Sequence, residues 1–153
     1  RDVDTRALGS LVGQVVLVVG GGMTSTTIAL AALAAGAERV VLVSRGQVAK
    51  QEFEHDVSFY GNKGLYDFRA SVDPVERLRV VRGSRPRATI SRAEWRRVQE
   101  EGVRGGRLDV RQGHVVCSCD WDGAQWAVGL RAVSDVWAER RAARGEGPAP
   151  TPG

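Results

Sequence analysis

The sequence is poor in the residues on which most catalytic and metal chemistry depends: two cysteines, two histidines, one methionine and two lysines among 153 residues. Cys117 and Cys119 stand as C-x-C with no second pair, so a tetrahedral zinc site lacks its ligands and no metal is expected. If that segment is a strand, the two thiols fall on one face and read as two buried or half-buried structural thiols in a reducing, cytoplasmic compartment. His55 and His114 are isolated from one another and from any nucleophile, and no residue is assigned as a general acid, base or nucleophile. No apolar run approaches the roughly 18 residues of a membrane span, and no signal-peptide pattern is read ahead of the first apolar segment. A membrane role is excluded on that ground.

Lysine is scarce because the basic residues are almost all arginine, 20 of 22, an imbalance that looks compositional rather than local. Position carries more information than the total. Residues 69 to 111 hold 12 basic residues against 6 acidic ones, while the segments on either side are close to neutral. A nucleic-acid groove would interleave stacking aromatics with those arginines, and only Trp95 stands among them, so solvated helix faces account for the charge.

What is present begins at Val15. Five apolar residues, Val15 to Val19, run into Gly20-Gly21-Gly22 without a polar break, as a parallel strand buried on both faces would. Met23 to Ala35 follows as a helix with small and apolar residues on all sides, Ala29, Ala32 and Leu33 facing a sheet, and Gly36 caps it. Val40 to Val43 is a second strand. A dinucleotide fingerprint uses its first glycine for a tight turn, its second for close approach of backbone to the pyrophosphate, and its third for helix–strand packing. Gly20, Gly22 and Ser25 match those positions, with serine small enough to serve as the third. Backbone N–H groups around Gly22 to Ser25 would face the pyrophosphate, aided by the helix dipole, and Gly20, Gly21, Gly22, Met23, Thr24 and Ser25 are together the candidate cofactor-binding residues of the turn.

The end of the second strand selects the cofactor. A carboxylate about 20 residues beyond the glycines binds the ribose hydroxyls of NAD, and an arginine there accommodates the 2′-phosphate of NADP. Ser44 and Arg45 occupy that place with no acid nearby. A serine hydroxyl can donate to phosphate and a guanidinium can grip it in a fork, so NADP(H) is favoured over NAD(H).

At this length the chain is one domain with a real core, too short for a complete two-nucleotide enzyme, and it begins with arginine, which suggests a segment of something longer. Residues 1 to 12 read as a lead-in in which Leu8 and Leu11 dock before Gly13 turns into the first strand. Gly46 to Ala70 reads as a cofactor-proximal loop carrying Phe53, His55, Phe59, Tyr60 and Tyr66, able to cover an adenine, to face a partner domain, or to form a satellite core. Asp73-Pro74-Val75-Glu76 and Ser91-Arg92-Ala93-Glu94 open helices over about 74 to 82 and 92 to 101. Leu108 to Val110 is a further strand. HVVCSCDW and AQWAVGL, joined by Asp122-Gly123, form a hairpin between His114 and Leu130. VSDVWAERRAARG is helix-like and highly charged, and the proline- and glycine-rich stretch behind it reads as disordered. The resulting division is a lead-in over 1–12, a nucleotide-binding domain over 13–137, and a disordered tail over 138–153.

With these pieces in place, the chain resembles the NAD(P)-binding domain of flavoproteins built from two dinucleotide-binding domains, a group containing flavin-dependent monooxygenases and disulfide-reductase-like enzymes. The resemblance rests on VVLVVGGGMTSTTIAL, on VVLVSR and on the hairpin ending in AQWAVGL. The monooxygenase branch often reads GGGxSA at this point, and GGGMTS is similar. The resemblance implies a Rossmann-like three-layer α/β fold with an inserted hairpin, Gly20, Gly22 and Ser25 at the pyrophosphate, Arg45 at the 2′-phosphate, and hydride delivery to a flavin. Two departures stand out: these residues hold no separate FAD fingerprint, and where the family continues to an apolar strand this chain has Glu139-Arg140-Arg141. FAD is therefore expected only in a complete enzyme, through an FAD-binding domain or segment as partner.

Against this reading stands a binding module or remnant that holds a dinucleotide without turnover. Tyr60 and Lys63, three apart and in a loop, do not supply the acid–base pair of a short-chain dehydrogenase, and an adenylating fold would want an acid where Arg45 stands. The purified chain should accordingly be colourless and show no NADPH oxidase activity above background. Co-purification of stoichiometric FAD, read by its visible absorbance, would contradict this.

Overall fold

A computed structural model describes residues 9–52, 61–84 and 89–145. Its element order is β1 (Val15–Val19), α1 (Met23–Ala34), β2 (Arg39–Ser44), β3 (Ala49–Lys50), α2 (Asn62–Ala70), α3 (Pro74–Ser84), β4 (Thr89–Ile90), α4 (Arg92–Arg97) with a π-helical extension (Val98–Val103), β5 (Leu108–Gln112), β6 (His114–Trp121), β7 (Trp126–Ala132) and α5 (Val133–Ala143). This is a mixed α/β structure whose main sheet is parallel, in the order β1-β2-β5, with a separate antiparallel hairpin β6-β7 and a small parallel pair β3-β4.

Alternation within the sheet decides where the core lies. Val18, Val40, Leu42 and Leu108, with half-buried Val16 and Val110, form one face and pack against Ala29, Leu30 and Ala32 of α1 and Val98 of the π-helical extension. Helix α1 can approach closely because the residues it buries are mostly small, with Thr26, Ala29 and Ala32 at 0% exposure. It stops in a Schellman arrangement: Gly36 takes φ 93°, its N–H bonds the Leu33 carbonyl, and the Ala37 N–H bonds that of Ala32. A Cβ at Gly36 would lie 2.9 Å from Val12 Cγ2, so this position is constrained by both φ and space.

The apolar run Val15 to Val19 had suggested a central strand covered on both faces, and the structure differs. β1 is the edge of the three-stranded sheet, and the central strand is β2, flanked by β1 and β5. Val15 and Val19 are 64% and 63% exposed, so no second helical layer covers β1 on that face among the described residues. A run of valines reports that both faces are apolar; it says nothing about which lateral edges find partners.

Other expectations are met or revised piecemeal. Leu11 packs against the core and Gly13 turns with φ 72°, while Leu8 lies outside the described residues. The segment read as a loop contains helix α2, whose Tyr66 is exposed; Phe53, His55, Phe59 and Tyr60 fall outside the described residues. Asp73 Oδ1 accepts the Val75 N–H at 2.9 Å and Ser91 Oγ accepts the Glu94 N–H at 3.1 Å, so both helix starts are capped by side chains. Their glutamates pair forward instead of reaching back: Glu76 with Arg79, and Glu94 with Arg97, which also meets Glu101. Arg79 thereby holds the Glu76 carboxyl below the usual carboxylate range by hydrogen bonding. These arginines lie on solvated helix faces, where such pairs contribute little stability.

The hairpin forms at Asp122-Gly123, where Asp122 Oδ1 accepts the N–H groups of Ala124 and Gln125, both at 2.8 Å. A register shift between Val116 and Ser118 makes Cys117 an extra, bulged residue. A Cβ at Gly129 would lie 2.5 Å from Ser118 Oγ and 3.0 Å from Cys117 Sγ, so those two side chains share the Gly129 side. Cys119, one register step on, points to the other face, and the simple alternation that put both thiols together does not hold. Both thiols are free and exposed rather than buried or half-buried, because the hairpin carries them away from the core, and no group of metal-ligating residues occurs among the described residues. Residues 138 to 143, assigned to the tail, continue α5; residues 146 to 153 lie outside the description.

The edge position of β1 has a measurable consequence. Leu42→Ala on the central strand should cost about 2–5 kcal/mol, the range for a leucine emptied from a packed core. Val19→Ala at the exposed edge should stay within about 0.5 kcal/mol. Urea denaturation of both variants checks the contrast, and equal losses would contradict the edge assignment.

Candidate functional site

The site lies where β1 and β2 end. Val19 and Val43 are partners in a parallel ladder, so the glycine turn after β1 and the Ser44-Arg45 step after β2 emerge side by side at one edge of the sheet. The Gly20 N–H donates to the Val43 carbonyl at 2.8 Å, extending the ladder into the turn. Ligands of parallel α/β sheets bind outside such carboxyl ends.

Each glycine of the triplet has a different role. Gly20 adopts φ 145°, and a Cβ there would stand 2.1 Å from Ser25 Oγ. Serine at the third fingerprint position therefore packs its hydroxyl against the bare side of the first, and a side chain at Gly20 would have to adopt that φ and turn the Ser25 hydroxyl away. Gly21 is buried. Gly22 is the N-cap of α1, extended at φ −97°, and its carbonyl accepts the N–H groups of Ser25 and Thr26 at 3.1 and 3.2 Å. The nearest atom to a Cβ built there is Thr89 O at 3.8 Å, an ordinary van der Waals contact, so the Cβ side of Gly22 faces the Thr89 carbonyl.

The first turn of α1 is left without a local counter-charge. No side chain caps it and no acidic residue lies in it. The N–H groups of Met23 and Thr24 precede the first possible intrahelical bond and stay at the free end, where the dipole favours an anion. Both residues are exposed. The hydroxyls of Thr26 and Thr27 turn inward along the helix and donate to the Met23 carbonyl at 2.8 and 3.0 Å.

Ser44 and Arg45 divide. Ser44 is 2% exposed and its hydroxyl donates to the Gly46 carbonyl at 2.8 Å, so it braces the turn after β2 and is not presented to a ligand. Arg45 is exposed and forms no hydrogen bond or ion pair with a described residue. Sequence reasoning missed Gln112, the partner of Ser44 in the β2–β5 ladder. Its Oε1 accepts the Val48 N–H at 2.7 Å and so fixes the far end of the same turn. The two residues are 64 positions apart, and only the strand order brings them together. The Trp121–Trp126 pair of the hairpin, with ring centroids 5.2 Å apart, is a separate exposed feature.

Among the described residues no helix is long and apolar enough to cross a membrane. No protein-family model matches the sequence, and a search of curated proteins finds no match. Solved structures do match. The fold is similar to that of an ornithine hydroxylase (PvdA) from Pseudomonas aeruginosa, at 14% identity and TM-score 0.61, covering 80% of this chain and 32% of that one. It is similar to a Kutzneria sp. 744 ornithine N-hydroxylase (KtzI) determined with reduced FAD, NADP+ and L-ornithine, at 14% identity and TM-score 0.58, covering 88% and 33%. It is also similar to an L-lysine 6-monooxygenase from Pseudomonas syringae, at 20% identity and TM-score 0.63, covering 85% and 33%. At these identities the likeness is one of fold, and this chain spans about a third of the length of each of those proteins.

Proposed function

We propose that residues 13–137 are the NADP(H)-binding part of a flavin-dependent, monooxygenase-type oxidoreductase, with the flavin held outside these residues. The observation that carries the reading is the junction of two structures at one sheet edge: a glycine turn leading into an uncapped, acid-free helix start, and an exposed Arg45 with no described partner at the end of the adjacent strand. The first suits a pyrophosphate and the second a 2′-phosphate. The fold likeness to two ornithine hydroxylases, one of them determined with FAD and NADP+, and to a lysine monooxygenase supports the flavoenzyme setting.

The residues present fit a dinucleotide. Gly20 and Ser25 keep β1 and α1 close, which aims the helix start at the sheet edge. Gly22 caps the helix without a side chain, and the Met23 and Thr24 N–H groups are available as donors. Arg45 would hold the 2′-phosphate, with Ser44 acting on the turn rather than on the phosphate. NADPH, when bound, supplies hydride; what this chain does is bind and orient it for a flavin elsewhere. A dinucleotide-binding module without turnover is the second reading, favoured by the lack of a separate FAD fingerprint in these residues.

If Arg45 meets the 2′-phosphate, it makes charge-assisted hydrogen bonds that NAD cannot offer, worth about 1.5–3 kcal/mol or about ten- to a hundredfold in affinity. Arg45→Ala should weaken NADP+ by that factor and leave NAD+ nearly unchanged. Arg45→Asp should go further and favour NAD+, because a carboxylate repels the phosphate and accepts from ribose hydroxyls. Isothermal titration with each nucleotide measures this. Equal losses of both nucleotides in Arg45→Ala would make the residue structural, and a folded wild type that binds neither would remove the proposal.

A further inference from the structure

The turn between β2 and β3 is tied at both ends by side-chain hydrogen bonds. At its start the Ser44 hydroxyl donates to the Gly46 carbonyl at 2.8 Å. At its end the Val48 N–H, on a residue packed in the core, donates to Gln112 Oε1 at 2.7 Å. Gln112 is itself fixed, as a ladder residue of β5 opposite Ser44 and through its carbonyl, which lies 2.8 Å from His114 Nδ1. Arg45 is the second residue of this short segment and has no described side-chain partner of its own. Its backbone direction is therefore set by the two tethers, while its guanidinium stays free for a ligand.

From this geometry we infer that Gln112 is a positioning residue for Arg45 and so a determinant of NADP over NAD. The inference rests on the proposed role of Arg45 at the 2′-phosphate and adds a residue that touches no part of the nucleotide. Losing the Gln112 acceptor leaves the Val48 N–H unpaired next to the core and lets the turn relax. Arg45 would then have to be ordered at the moment of binding, which lowers affinity for the nucleotide that uses it and spares the one that does not. The pyrophosphate contacts, on the other side of the Gly20–Val43 bond, would be unaffected.

The test is a double-mutant cycle read by calorimetric titration with NADP+ and NAD+, using the full chain as wild type, Gln112→Met, Arg45→Ala and the double variant. Methionine keeps the length and volume of glutamine and removes the oxygen. Gln112→Met should weaken NADP+ about three- to tenfold, the scale of one hydrogen bond, and leave NAD+ unchanged. In the Arg45→Ala background it should have no further effect on NADP+. Equal weakening of both nucleotides, no change in either, or an additive loss in the double variant would overturn the inference while leaving the role of Arg45 intact. An Arg45→Ala variant with unchanged preference would remove the reading beneath it, and the inference with it. Should Gln112→Met fail to fold, Ser44→Ala cuts the other tether and must give the same selective, non-additive loss.

Discussion

The contact that the rest of the structure depends on is the one between Gly20 and Ser25. A side chain on Gly20 would collide with the serine hydroxyl at 2.1 Å, and its φ of 145° is one that L side chains rarely adopt. Both conditions let α1 begin immediately after β1 and lie on the sheet through Ala29 and Ala32. That closeness brings the start of α1 and the end of β2 to the same edge. A side chain at Gly20 would have to take up that φ and displace the Ser25 hydroxyl from its place against the turn.

The same arrangement covers the sheet unevenly. β2 has a ladder partner on each side and buries both Leu42 and Val43, while β1 has one ladder partner among the described residues and two largely exposed valines. Parallel strands are seldom left so, because their faces are apolar and their edges present unpaired backbone.

Much of the local geometry at the candidate site was legible because its residue types are dictated by the turn they make. Gly20, Gly22 and Ser25 could be read from spacing, since only small residues allow a strand to turn straight into a helix. Gly36, Ser91 and Asp122 were legible for the same reason, each satisfying backbone groups within a few residues of itself. What could not be read depends on partners distant in sequence. The edge position of β1 depends on which strands exist to pair with it. The inward hydroxyl of Ser44 and the Gln112–Val48 bond depend on β5 lying beside β2. The bulge at Cys117 depends on Gly129 across the hairpin, where a side chain would meet Ser118 and Cys117. Helix α2 lay in a stretch read through its aromatics, which masked its helical spacing.

The central claim is that a dinucleotide sits across the carboxyl ends of β1 and β2, and the most direct measurement maps its contact on the free chain. In ¹⁵N–¹H correlation spectra of the full chain titrated with NADP+, the largest shifts should fall on the amides of Gly20 to Ser25 and on Arg45 to Val48, with the hairpin β6-β7 unmoved. Perturbations centred on the Trp121–Trp126 end of the hairpin, or none at saturating nucleotide in a folded sample, would contradict the account.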